Sequence, residues 1–123
     1  MITIASESVL KALMAVRYEP KLIEILMWIE HQTGYINITS GWRDAKVYQD
    51  DSGIHLTQPC RAVDISSKDY KNPDEIVENV NRAWEYDYER PSKKCIVYHD
   101  VGYGLHFHIQ VHKNTRLREG YNL

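Results

Sequence analysis

The spacing of apolar residues predicts two helices in the first third of the chain. Apolar side chains recur at helical intervals over residues 9–14, after Ser6 and Ser8, either of which can cap a helix. A second helix is predicted to begin at Pro20, which suits a first-turn position, and to end at Gly34. Its apolar residues share one face, which indicates that the helix packs against a core.

The rest of the chain contains four short segments of strand-like character. These predicted strands comprise residues 35–40, 62–65, 94–98 and 105–111. The last two are joined through residues 101–104 as a hairpin, whereas residues 44–59 are predicted to form an irregular loop. A third helix is predicted to begin at Asn72 and Pro73. This order predicts a single α+β domain over residues 1–123, with a mostly antiparallel central sheet and flanking helices.

Composition and charge exclude several classes of partner. The 123 residues are 43% hydrophobic and 26% charged, as is ordinary for a globular protein. The net charge is −2 and there is no basic block, so we expect no nucleic-acid partner. No apolar run reaches the length of a membrane span, and the N-terminus lacks the order of a signal peptide. We therefore expect no membrane partner and a chain made in the cytoplasm.

The two cysteines, Cys60 and Cys95, do not form a disulfide framework. In a reducing cytoplasm both are expected to be free thiols. Cys95 lies in an apolar, strand-like run and is predicted to be a core residue. Cys60 lies between two candidate metal ligands, so a contact with the metal stays open for it.

Histidines concentrate on one face of the last predicted strand. Alternation places Leu105, Phe107, Ile109 and Val111 on one face and His106, His108, Gln110 and His112 on the other. Two imidazoles at positions i and i+2 stand roughly 7 Å apart and can reach around one ion. Taken alone, the pattern fits the solvent-facing side of an edge strand slightly better.

Asp64 lies in the middle of an apolar run, where an unpaired carboxylate is unfavourable. Pairing with Arg61 would satisfy it, and so would a divalent metal. One carboxylate and two imidazoles leave one position of a tetrahedral zinc ion open, which is the arrangement of catalytic rather than structural zinc sites.

Three segments occur in the order in which a known enzyme family carries them. Residues 40–43 read Ser-Gly-Trp-Arg, residues 52–65 contain His55 and Asp64, and residues 106–108 read His-Phe-His. Together they resemble the D-alanyl-D-alanine carboxypeptidase and hedgehog superfamily of zinc peptidases, which includes cell-wall peptidases and phage endolysins. The three segments span more than half of the chain, from Ser40 to His108.

The resemblance implies a small domain of the hedgehog and DD-peptidase fold, with Zn²⁺ bound by His55, Asp64 and His108. It places His106 beside the metal and makes Arg43 a residue that binds substrate or transition-state oxygens. The implied reaction is hydrolysis of peptidoglycan stem or cross-bridge peptides, of DD- or LD-peptidase type. Asp64 follows His55 by nine positions, two more than is usual in the family, which affects the shape of the loop between them.

The general base is the main departure from the family pattern. Many members carry Glu or Asp three residues before the last metal histidine, and here that residue is Leu105. His106 is then the first candidate for the base, and Asp100 and His99 at the other end of the hairpin connection are further ones. Tyr103 is a candidate hydrogen-bond donor to an oxyanion.

The sequence indicates two candidate functions. The first is a zinc metallopeptidase of the phage-lysin type, released with the help of a holin or carried in the virion, which acts on the cell wall. The alternative is a non-catalytic zinc-binding module of the same fold, serving as a structural or binding component of a phage virion. The residue Leu105 favours the module, whereas Arg43 and the open coordination position favour the enzyme. A weaker, third alternative is a zinc-free domain with solvent-facing histidines.

Overall fold

A computed structural model describes all residues from 1 to 123. The helices are α1 (Glu7–Ala15), α2 (Pro20–Thr33) and α3 (Pro73–Ala83). The strands are β1 (Ile2–Ile4), β2 (Ile36–Ser40), β3 (Ala62–Ser66), β4 (Trp84–Glu85), β5 (Ile96–His99), β6 (His106–Gln110) and β7 (Arg116–Leu117). A short 3₁₀ helix, Ile54–Leu56, lies in the long connection between β2 and β3. None of the helices has the length and apolar character needed to cross a bilayer.

Local capping signals set the ends of the helices. The Ser6 hydroxyl accepts a hydrogen bond from the backbone N–H of Val9 and so caps α1. Pro20 occupies the first turn of α2, which ends at Gly34 in the left-handed conformation, with φ of 82°. The side chain of Asn72 caps α3. These findings confirm the predicted starts of α2 and α3 and identify Ser6, rather than Ser8, as the cap of α1.

The central sheet has five strands in the order β1-β2-β3-β6-β5. Its β1 and β2 are parallel, and every other neighbouring pair is antiparallel. Strands β5 and β6 form the predicted hairpin, with His99 opposite His106 and Val97 opposite His108. The α+β class and the mostly antiparallel sheet are therefore confirmed. Strand β1 and the two-stranded β4–β7 ribbon were not predicted.

One face of the sheet is covered by the hydrophobic core. A cluster of 19 buried residues joins the helices to this face, and Ile65, Phe107 and Ile109 lie at its centre without measurable exposure. Not every apolar residue of α1 contributes, because Met14 is 78% exposed. Because side chains alternate along a strand, the residues between the core positions of β3 and β6 face the opposite side. The helices leave this opposite, polar face of the sheet uncovered.

A β-bulge in β2 directs the next segment to the polar face. Ile38 pairs with Ile65, but Ser40 pairs with Asp64, so two steps along β2 match one step along β3. The extra residue reverses the alternation: Ile38 belongs to the core, whereas Ser40 lies beside Asp64. Residues 41–43 therefore leave the sheet on the side that carries the candidate ligands.

Candidate metal centre

Three side chains that the sequence indicated as metal ligands meet on the polar face of the sheet. Asp64 on β3 lies opposite His108 on β6. His55 reaches them from the 3₁₀ helix in the preceding connection. His55 is 2% exposed and Asp64 is 6% exposed. The three residues form a group that could hold a metal ion.

The three facing atoms form an equilateral triangle. The distance from His55 Nε2 to His108 Nδ1 is 3.2 Å, and each of these nitrogens lies 3.2 Å from Asp64 Oδ1. A tetrahedral ion bound at about 2.0–2.1 Å holds its ligand atoms roughly 3.3–3.4 Å apart. The triangle thus has the size that such an ion requires.

The tautomer of His55 is set by the backbone of the segment that follows the bulge. His55 Nδ1 lies 3.0 Å from the carbonyl oxygen of Gly41. A carbonyl oxygen only accepts hydrogen bonds, so Nδ1 carries the proton and donates it. The lone pair of His55 Nε2 is then directed into the triangle, as in metal sites where an outer hydrogen bond orients a ligating imidazole.

The tautomer of His108 is set by a chain of two hydrogen bonds. The side-chain amide of Gln110 donates to the carbonyl oxygen of Lys94 over 2.7 Å. The amide oxygen of Gln110 therefore faces His108 Nε2 at 3.0 Å and accepts a hydrogen bond from its N–H group. As a result, His108 Nδ1 has a bare lone pair directed at the other two ligand atoms.

The triangle accordingly contains three acceptors and no donor. Three lone pairs at 3.2 Å repel one another unless a cation lies among them, either a metal ion or an added proton. Imidazole nitrogens and a carboxylate oxygen are the ligands that divalent zinc takes in proteins.

Arg43 holds the carboxylate of Asp64 from the outside. Its Nη2 donates to Asp64 Oδ2 over 3.0 Å and to the hydroxyl of Ser40 over 3.1 Å. Asp64 therefore turns Oδ1 toward the triangle and Oδ2 toward Arg43. The alternative in which Arg61 pairs with Asp64 is wrong, because Arg43 occupies that place.

Asp51 is a buried residue of the site that the sequence reasoning missed. Its carboxylate accepts the backbone N–H groups of Val47 and Gly53 and lies 3.6 Å from Arg43 Nη1. Burial alone would raise the pKa of Asp51, but these hydrogen bonds and the charge of Arg43 lower it. The sequence signal that could have found it is the Asp-Ser-Gly turn, in which an aspartate commonly bonds the backbone two residues on.

A cleft of about 850 Å³ opens over the triangle. All three candidate ligands line it, together with Arg43 and His106. Its apolar lining includes Val47, Val97, Val101, Tyr103 and Leu105. The Leu105 side chain is 54% exposed. A bound ion would thus have one side open to a space large enough for a small peptide.

His106 directs its Nε2 atom toward the triangle. Its Nδ1 lies 3.0 Å from the carbonyl oxygen of Gly104 and therefore carries the proton. Its Nε2 lies 3.8 Å from Asp64 Oδ2. The ring of His99 packs against His106 with 4.9 Å between centroids, and burial together with the neighbouring imidazoles lowers the pKa of His99.

Two other candidate residues lie away from the triangle. Asp100 is exposed, and its carboxylate accepts the backbone N–H groups of Gly102 and Gly104, which lower its pKa. It shapes the hairpin connection and does not line the cleft. Cys60 is a buried free thiol whose sulfur lies 3.3 Å from the carbonyl oxygen of Ala62, so it is not one of the grouped ligands.

Comparisons with known proteins identify no relative of this chain. No protein-family model matches it, no curated protein matches it, and no solved structure matches it. An inference about function therefore depends on the chemistry of the polar face, and above all on His55, Asp64 and His108.

Proposed function

We propose that the protein is a zinc-dependent metallopeptidase that hydrolyses the stem or cross-bridge peptides of peptidoglycan. The observation that carries this proposal is the triangle of three lone pairs, 3.2 Å on each side, beneath an open cleft. Three protein ligands leave one position for water or substrate, which distinguishes catalytic zinc from structural zinc.

Zinc is the ion that best fits this set of ligands. Two imidazoles and one carboxylate suit zinc, whereas magnesium and calcium prefer sites built from oxygen ligands alone. When bound in such a site, zinc lowers the pKa of a coordinated water and polarises a carbonyl group. His55, Asp64 and His108 would hold the ion.

His106 is the residue best placed to act as the general base. Its Nδ1 is engaged by the carbonyl oxygen of Gly104, which leaves Nε2 as the acceptor of the neutral ring, and Nε2 lies 3.8 Å from the carboxylate of Asp64. A neutral imidazole is chemically adequate for proton transfer near pH 7. Such a base would compensate for Leu105, which stands at the position of the usual acid and cannot accept a proton.

Arg43 is the residue best placed to hold a substrate oxygen. Its Nε and Nη2 are engaged by Ser40 and Asp64, which fixes the plane of the guanidinium group. Its Nη1 lies 3.6 Å from Asp51, too far for a strong hydrogen bond, and retains donor capacity beside the cleft. We assign it the binding of an oxygen that gains negative charge during hydrolysis.

Residues 40–43, 52–65 and 106–108 resemble the hedgehog and DD-peptidase superfamily. This resemblance supports peptidoglycan peptides as the substrate and the fold of that superfamily as the fold type. In that setting the protein would act on the cell wall as a phage lysin or as part of a virion.

The alternative, a non-catalytic zinc-binding module, is favoured by one specific observation. Leu105 is half exposed at the cleft where a general base is usual.

The test is release of new amino groups from purified peptidoglycan. Chelator-treated protein is compared with the same protein after zinc is restored, and a His106→Gln variant is assayed beside it. We expect zinc-dependent release, reduced about 100-fold or more in the variant, because a positioned base typically contributes 10²–10⁴-fold. No release by protein shown to hold zinc would contradict the peptidase proposal and favour the module.

A further inference from the structure

A second groove adjoins the cleft. It has a volume of about 570 Å³ and shares Ser52, Ile54 and Lys93 with the cleft. The charged side chains of this cationic groove are Arg61, Arg90, Lys93, Lys113 and Glu19. Four of these five charges are positive, although the whole chain carries a net charge of −2.

Most of these cations have no partner within the protein. Arg90 donates to the buried carboxylate of Asp87 over 2.9 Å, which balances its charge. The side chains of Arg61, Lys93 and Lys113, by contrast, form neither an ion pair nor a hydrogen bond, and only the backbones of these residues are engaged. Unbalanced cations lining one concave surface generate a positive potential that attracts anions.

The cationic groove lies near the ends of the two strands that carry Asp64 and His108. Arg61 immediately precedes β3, which carries Asp64, and Lys113 follows β6, which carries His108. The backbone N–H of Val111 donates to the Arg61 carbonyl over 2.9 Å, so the ladder between the strands extends to the groove. Asp64 follows Arg61 by three positions, a rise of about 10 Å along the chain, which an extended peptide of three residues also spans.

We propose that the cationic groove binds the carboxylates of an acidic peptide whose scissile bond lies at the metal centre, an inference that rests on the proposed function. Guanidinium and ammonium groups are the donors that bind carboxylates in water-exposed grooves. Ile54 and Tyr86 are the only large apolar residues that line the groove, so charge rather than hydrophobic burial selects the ligand. The groove would thus select substrates with acidic residues about three positions from the cleaved bond.

The experiment measures binding of two fluorescein-labelled pentapeptides by fluorescence anisotropy, with zinc-loaded protein at low and moderate salt. One probe carries two glutamates and the other carries two glutamines in their place. The test variant is Arg61→Gln/Lys113→Gln, and the matched control is Lys11→Gln/Lys71→Gln, which removes two exposed charges elsewhere. Circular dichroism checks that each variant is folded.

We expect the glutamate probe to bind more tightly than the glutamine probe, and this preference to fall about three- to tenfold in the test variant only. The reversed-charge variant Arg61→Glu/Lys113→Glu is expected to abolish it. Equal binding of both probes, or an undiminished preference in the test variant, would overturn the inference. If the preference for the glutamate probe depends on the groove but the protein does not hydrolyse peptidoglycan, binding of acidic peptides by the groove is supported and only the peptidase proposal is contradicted.

Discussion

At the scale of single residues, two hydrogen bonds outside the triangle decide which ring nitrogens of His55 and His108 carry a proton. The carbonyl oxygen of Gly41 and the amide oxygen of Gln110 accept hydrogen bonds from the outer N–H groups of His55 and His108, so both facing nitrogens are bare. Alternation along the last strand already placed Gln110 on the ligand face. Its partner Lys94, however, lies 16 residues earlier and reaches it through tertiary pairing. The residues that meet in the triangle were therefore predictable from the sequence, whereas their tautomers were not.

The role of Gln110 is tested by replacing it with leucine. In Gln110→Leu, the Nε2–H group of His108 loses its acceptor and the ring loses its fixed orientation. We expect zinc affinity to fall about 10–100-fold, as is typical when an outer partner of a metal ligand is removed. Competition with a chromophoric chelator measures this. Gln32→Leu, an exposed position on α2, is the matched control and should bind zinc as the wild type does. Undiminished affinity in Gln110→Leu would show that His108 is oriented by other contacts.

At the scale of elements, local signals predicted the helices better than the edges of the sheet. The ends of α2 and the start of α3 follow from residues within one turn, namely Pro20, Gly34 and Asn72. Strand β1 has three residues, and β4 and β7 have two each, too few for a periodic pattern. These strands exist because partners distant in the sequence supply their hydrogen bonds. The bulge in β2 likewise depends on pairing with β3, so the sequence alone could not reveal it.

The connection between β2 and β3 depends on Asp51, which makes Asp51→Ala a test at this scale. The change leaves two backbone N–H groups without their acceptor and frees Arg43 on one side. We expect a loss of about 1–3 kcal/mol in the free energy of unfolding, measured with urea, and faster tryptic cleavage after Lys46. Asp50→Ala removes the same charge from the exposed neighbouring position and should change neither quantity.

The contribution of Asp51 also has a defined pH dependence. Its pKa is lower in the folded chain than in the unfolded one, so folding favours the ionised carboxylate. The stabilisation is present above the ordinary aspartate pKa and is lost as the pH falls through the lowered, folded-state pKa. The difference in stability between wild type and Asp51→Ala should therefore shrink in acid. A difference that stays constant down to the acid transition would show that Asp51 acts through packing alone.

At the scale of the whole molecule, the sheet separates the part that folds the chain from the part that carries chemistry. Ile65 and Phe107 lie in the core, while their strand neighbours Asp64 and His108 face the cleft. The third candidate ligand, His55, comes from a connection that precedes β3, and His108 follows it by 53 positions. In the unfolded chain these ligands are far apart, so a metal that binds all three favours the folded state.

This linkage predicts that zinc raises the melting temperature. At a free zinc concentration 100 times the dissociation constant, the folded state gains about 2.7 kcal/mol. For a chain of 123 residues, this corresponds to a rise of roughly 8–14 °C. The rise should shrink as the pH is lowered, because protons compete for the bare imidazole nitrogens.

Asp64→Asn removes the only anionic candidate ligand and should reduce the rise to near zero. Asp69→Asn, on the loop after β3 and outside the cleft, should retain the rise. Differential scanning calorimetry with and without zinc measures both variants. A full zinc-dependent rise in Asp64→Asn would show that the ion binds elsewhere and that the triangle is held by a proton.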